Sequence, residues 1–188
     1  AGLKRAITEA SFFVLELEGP GAVDIAGFAP GRIVEIDLDG NSILVEHRAF
    51  LAMEPTVNYD VKLIGLGFGW LGHEGLWMAK LHGTGRVFLH ATGDAVMLEL
   101  GPGDSIDAEA GHVLAFDEGM RVSIRRVGDL RTILFGEEGI WFAHIEGPGR
   151  VGLGTLSRQP MIMGLRPSLA QGVRQSKTGQ KNNQNLKK

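Results

Sequence analysis

Residues 146–154 read EGPGRVGLG, in which Gly147, Gly149 and Gly152 satisfy G-x-G-x-x-G, the spacing of a dinucleotide-binding loop. Such a loop needs a strand before it, a helix after it and backbone N–H groups aimed at a pyrophosphate. Pro148 has no N–H to offer, and no helical periodicity follows Gly152. With 28 glycines among 188 residues, short glycine spacings also match by chance. The motif reads as turn chemistry. Six histidines, at 47, 73, 82, 90, 112 and 144, raise metal chemistry of the cupin type. That chemistry needs ligands that converge from adjacent strands. No H-x-H or H-x-x-H exists here, and His82 and His90 stand eight residues apart across a glycine turn. A histidine at a strand start, bonded to nearby backbone, is the better reading of His112. Asp117 and Glu118 are neighbours, and neighbouring carboxylates on a strand face opposite ways. They read as a turn closing at Gly119. No G-x-S-x-G elbow occurs, so the expectation is no catalytic residue, no metal ligand and no cofactor.

Composition bounds the rest. A chain of 188 residues with 44% hydrophobic residues can bury a substantial core as one domain with a tail. The absence of cysteine removes disulfides, thiolate metal sites and thiol nucleophiles, and suits a reducing, cytoplasmic setting. No apolar run is long enough for a spanning helix, and no continuous apolar region follows Lys4 and Arg5, so no signal peptide is expected. The net charge of −3 hides an asymmetry: all 22 acidic residues lie at or before Glu146, alongside 11 of the 19 basic ones, giving 11 − 22 = −11. Residues 147–188 carry the other eight basic residues and no acid. The end of that segment, KTGQKNNQNLKK, is too polar to fold alone. The division expected is a β domain over 1–160 and a basic, polar tail over 161–188.

The elements that would position any site come from a repeat. FFVLELEGPGAVDIA (12–26), LWMAKLHGTGRVFLH (76–90) and IWFAHIEGPGRVGLG (140–154) place their glycine pairs 64 residues apart, at Gly19/Gly21, Gly83/Gly85 and Gly147/Gly149. Apolar residues alternate on both sides of each pair, which predicts a β-hairpin at each. GRIVEIDLDGNSILVEHRAFLAM (31–53) parallels DAVMLELGPGDSIDAEAGHVLAF (94–116), matching Ser42 with Ser105, Ile43 with Ile106, and Leu51 with Leu114. The units are short strands punctuated by DG, PG and GPG turns. The fold class is all-β, a double-stranded β-helix or β-sandwich of internal repeats of about 64 residues.

On the stretches GHEGLWMAKLHGTGRVFLHATG, LELGPGDSIDAEAGHVLAFDEGMRVSIRRVG and FGEEGIWFAHIEGPGRV, the chain resembles the altered-inheritance-of-mitochondria, or mitochondrial biogenesis, family over roughly residues 3–158. GHVLAFDE (111–118) and the paired EGL/EGI stretches carry most of the likeness, with EASFF at 9–13 as its opening. The resemblance implies a fold like the trp RNA-binding attenuation protein and a homo-oligomer, with a trimer favoured. It implies no settled biochemical activity; eukaryotic relatives are implicated in organising the mitochondrial inner membrane. EASFF comes early, so the family's first strand or strands are expected to be missing.

Two features suggest interaction. Phe68 and Trp70 stand in the glycine-rich LIGLGFGWLGHEGLW (63–77), where a merely solvated loop would be polar; core packing within the chain would suit them, as would a subunit neighbour, another protein or a membrane surface. Arg158, Arg166 and Arg174 recur every eight residues in the basic segment. Residues 143–188 hold no aromatic, which disfavours specific RNA recognition but leaves non-specific phosphate contact. The leading expectation is a non-enzymatic, homo-oligomeric β scaffold or interaction module. An oligomeric ring binding a ligand or nucleic acid is the alternative, with a cupin-like metal enzyme behind it.

Overall fold

The computed structural model describes residues 14–64, 76–127 and 140–157. Ten strands carry the regular structure: β1 (Gly31–Glu46), β2 (Phe50–Met53), β3 (Val57–Ile64), β4 (Leu76–Thr92), β5 (Ala95–Leu100), β6 (Ser105–Glu109), β7 (Val113–Asp117), β8 (Arg121–Val127), β9 (Ile140–Glu146) and β10 (Gly149–Gly154). A single 3-10 turn, Ala110–His112, is the one helical element among the described residues. The chain is all-β, as expected. β-Branched and aliphatic residues alternate with charged ones along most strands, which suits a pleated surface buried on one face.

The named strands pair antiparallel in two sheets. A large sheet runs β2-β4-β1-β7-β10-β5, with β3 also joined to β4, and a small sheet runs β6-β9-β8. The spine of the large sheet is the ribbon of β1 and β4, paired from Gly31 opposite Thr92 to Glu46 opposite Met78 with one shift of register on the way.

The G-x-G segments are not hairpins, contrary to the sequence expectation. β4 runs through Gly83-Thr84-Gly85 as one strand. Gly83 and Gly85 adopt φ of 124° and 145°, a region open mainly to glycine. That geometry bends the strand without reversing it, so β1 stays paired along both halves. A side chain at Gly83 would also collide with the Thr56 carbonyl oxygen, 2.7 Å from where its Cβ would sit. Asp39-Gly40, expected as a turn, is instead an irregularity inside β1, where the register shifts between Asp39 and Ser42. At Gly147-Pro148-Gly149 the flanking strands again do not pair with each other: β9 lies in the small sheet and β10 in the large one. Pro148 lacks the N–H a continuous ladder requires, so the strand is interrupted there. Pro102-Gly103 does form a turn, closed by Asp104 N–H donating to the Gly101 carbonyl at 3.1 Å. The Asp104 carboxylate accepts the Gly101 N–H at 2.8 Å.

Alternation then builds two cores on opposite faces of the same strands. Ile43 and Val45 of β1 and Ala79 and Leu81 of β4 enter one core with Ile36, Leu38, Val87 and Leu89. Leu44 and Met78, pointing the other way, enter a second with Phe116, Met120 and Val151. The small sheet closes this second core with Ala108, Ala143 and Ile145. One end of the β1–β4 ribbon, at Ile43, Leu44 and Val45, is therefore buried on both faces, and the outer face of the small sheet meets solvent.

Candidate interaction site

Strand register sets the outer face of the small sheet. Asp107 on β6 stands opposite His144 on β9, which stands opposite Ser123 on β8. One row along, Ser105, Glu146 and Arg121 align in the same way; Glu109, Phe142 and Arg125 form the third row. Their sequence neighbours Ile106, Ile145, Val122 and Ile124 turn inward to the second core. The outer face is a lattice of cross-strand charge pairs. His144 Nδ1 lies 2.9 Å from Asp107 Oδ1, and Arg125 donates to the same oxygen at 2.8 Å. A carboxylate only accepts, so Nδ1 carries the proton in that contact. The His144 hydrogen bond, followed by that of Arg125, holds the Asp107 carboxyl below the usual aspartate range, against some opposing desolvation. His144 Nε2 lies 3.5 Å from Glu146 Oε1, and Arg121 reaches Glu146 at 4.0 Å. A surface depression of about 630 Å³ opens at this corner between the Pro102-Gly103 turn, Arg121, His144 and Pro148.

Asp107, His144 and Ser123 have the residue types of a hydrolytic triad, and the carboxylate–imidazole contact is in place. The nucleophile contact is not: no Ser123–His144 hydrogen bond is formed, and Nε2 faces Glu146 instead. Nucleophilic catalysis needs the hydroxyl within hydrogen-bond reach of its base. No group of three or more His, Asp or Glu residues arranged to hold a metal ion occurs among the described residues.

The other residues singled out from sequence are held by the fold. Glu118 is clamped between layers: Ser42 donates to it at 2.7 Å, Lys80 lies at 2.8 Å and Lys62 at 3.2 Å. The Lys80 and Ser42 contacts come first in bringing its carboxyl down to about 2, against desolvation. Asp117 takes the Arg150 guanidinium at 3.0 and 3.2 Å and the Arg150 backbone N–H at 2.9 Å. Asp117 raises the already high Arg150 pKa further. Asp117 and Glu118 thus reach side chains on four strands, β1, β3, β4 and β10, a larger part than a turn alone. His112 Nδ1 donates to the Gly154 carbonyl at 2.7 Å just before β7. His90, 6% exposed, reaches the Ala29 carbonyl through Nε2 at 2.9 Å. His82 lies 3.4 Å from Asp60, and His47 3.0 Å from Glu46. Phe68, Trp70, Arg158, Arg166 and Arg174 lie outside the described residues, as does His73.

What sequence reasoning passed over is the exposure of the first G-x-G copy. Residues 14–26 belong to no strand. Leu15 is 80% exposed, Val23 62% and Leu17 58%. The alternation of Leu15 and Leu17 with Glu16 and Glu18 is strand-like and was legible, but the expectation of a local hairpin absorbed it. The segment is tethered where Phe28 stacks edge-on against the His90 ring, centroids 5.5 Å apart. Beyond the tether, the edges of β5, β6 and β8 carry no pairing strand among the described residues. No helix among them is long and apolar enough to cross a membrane.

The chain is similar in structure to a protein from Streptococcus pyogenes solved by X-ray crystallography, at a TM-score of 0.63 and 22% identity. The likeness covers 76% of this chain and 62% of that one, so this chain spans about three-fifths of that protein's length, and at this identity it speaks for the fold alone. No curated protein matches the sequence. The family model for Mitochondrial biogenesis AIM24 matches residues 1–156, and the chain belongs to that family.

Proposed function

We propose that the protein is a non-enzymatic scaffold that assembles with copies of itself through strand edges and exposed apolar segments. One observation carries the reading: a strand-patterned stretch with Leu15, Leu17, Val23 and Ile25 in solvent, beside sheet edges that are unpaired among the described residues. Exposed apolar area of this kind marks contact surfaces, and unpaired edges are templates for pairing with another chain. A cyclic assembly such as a trimer buries both at once. Phe68, Trp70 and the arginines at 158, 166 and 174 then serve as secondary contacts, to a protein or membrane surface and to phosphates respectively. A cysteine-free chain suits the cytoplasm for this work.

The depression beside His144 favours a second reading, an oligomer that holds a small ligand. Native mass spectrometry on untagged protein, with the 260/280 nm absorbance ratio read on the same sample, separates the two. A homo-oligomer without added mass supports the scaffold. A constant extra mass or a nucleic-acid-like ratio supports the ligand-binding ring, and a monomer at all concentrations overturns both.

A further inference from the structure

We infer that Val14–Glu18 is a donor strand that extends the small sheet of a second copy by pairing along the edge of β8 that has no paired strand among the described residues. The inference rests on the scaffold reading and adds to it which segment is given and which edge receives it.

Three observations meet. The donor is patterned for a sheet: Glu16 and Glu18 fall on one face, Leu15 and Leu17 on the other. Among the described residues these pair with nothing in either sheet. The similar sequences LWMAKLHGTGRVFLH and IWFAHIEGPGRVGLG lie in paired strands, β4 flanked by β1, β2 and β3, and β9 by β6 and β8.

The receiving edge is chosen by charge. β8 presents Arg121, whose side chain is 89% exposed, and Arg125 on its outer face, with Val122 and Ile124 on its inner one. A strand laid beside it can set one glutamate opposite an arginine and the other opposite Ser123, diagonal to the second arginine, and carries Leu15 and Leu17 over the rim of the second core. Opposite charges across neighbouring strands are favourable, and like charges are not. β6, the other edge of the small sheet, shows Asp107 and Glu109 on its outer face and repels the same donor. The exposed edge of β5 offers Val96 and Met97 but only Glu99 as a charge. The charge pattern of the donor therefore fits one described edge of the small sheet.

The test uses the full chain and two charge-reversed forms. Glu16→Lys with Glu18→Lys alters residues outside every strand and leaves folding intact; Arg121→Glu with Arg125→Glu alters the acceptor. Each form alone is expected to assemble at least tenfold more weakly than the parent by light scattering at low salt. A third form carrying all four reversals is expected to regain the parent's assembly, because every copy's donor then meets an opposite charge on its neighbour whatever the number of subunits. If the parent assembles and the glutamate reversal assembles equally well, the donor strand is wrong and the scaffold reading stands. If both reversals weaken assembly but the form with all four reversals does not recover, the two sites do not meet, and the donor strand on β8 is wrong. A parent that stays monomeric removes the scaffold reading and this inference together. Should the arginine reversal fail to fold, Arg121→Gln with Arg125→Gln replaces it and must weaken assembly in the same direction.

Discussion

The face of β1, β4 and β3 that meets the second core and the outer face of the small sheet both carry polar side chains across three antiparallel strands, yet they treat charge in different ways. On the first, Ser42, Lys80 and Lys62 share a face with Leu44 and Met78, which are 1% and 0% exposed. The turn after β7 partly covers the charged end of that face, leaving Lys80 30% and Glu118 27% exposed. On the small sheet, Asp107, His144, Glu146 and Arg125 pair across the surface with water beside them. The covered face brings in one carboxylate, Glu118, to serve two ammonium groups and a hydroxyl. The open face spreads its charges over many partial contacts. A charge under a neighbouring layer needs a dedicated partner, whereas a charge in water needs none. The contrast separates a packing surface from one still available for contact.

The sharpest way to break this contrast is to hollow the covered face. Leu44 stands opposite Phe116 in the β1–β7 pairing and fills the second core. Leu44→Ala is expected to cost about 2–5 kcal/mol, the usual range for a buried leucine whose cavity collapses only partly. Urea unfolding followed by far-ultraviolet circular dichroism reads it. A loss under about 1 kcal/mol means that the layers are not packed together as described.

Glu118 gives a smaller effect with a pH signature. Glu118→Gln keeps the shape, removes the charge, and leaves Lys62 and Lys80 without a counter-ion. The shift from 4.5 to about 2, discounted for partial solvent screening, corresponds to about 2 kcal/mol at neutral pH. Because the folded-state value is depressed, the native advantage is complete above about pH 4.5. It shrinks as pH falls towards 2, where both states become protonated. Urea midpoints of parent and variant should differ at pH 7 and converge on acidification. Parallel curves down to pH 3 would show that Glu118 titrates normally and that the clamp contributes little.

These outcomes bear on how much could be read from the chain. Fold class was legible because period-two alternation is local: RVSIRRV and IWFAHIE declare strands without knowing their neighbours. The bends were not. Glycine pairs signal positive φ, but whether positive φ reverses a strand or only bends it depends on what pairs across it. For β4 that is β1, whose partner positions lie far away in sequence. The same distance hid the clamp, since Ser42 is 76 residues from Glu118 and Lys62 is 56. Asp117-Glu118 read as a turn because nothing local announced Arg150 or the lysines. The outer-face row of Asp107, His144 and Ser123 was equally invisible, each member being an ordinary polar residue of an alternating strand until register aligned them. Leu15 and Leu17 were visible as a strand pattern, and only the fold revealed that no strand among the described residues receives them.

The smallest expected effect tests the open face. Asp107→Asn removes the charge that meets both His144 and Arg125 but keeps a hydrogen-bonding oxygen in place. Arg125 is 60% exposed and Asp107 53%, so water replaces the lost ion pair, and the urea midpoint should stay within error of the parent. Any small difference at low ionic strength should vanish in high salt, because exposed charges are screened over roughly 10 Å or less. The sign in acid follows from the depressed Asp107 value: whatever it contributes is present at neutral pH and fades as Asp107 protonates. A variant as damaged as Glu118→Gln, and insensitive to salt, would mean that something covers this face in solution. In a protein that assembles, a second copy would be the first candidate. Repeating the midpoint at high dilution would then decide, because cover supplied by a second copy is lost as the assembly dissociates, whereas cover supplied by the chain itself is not.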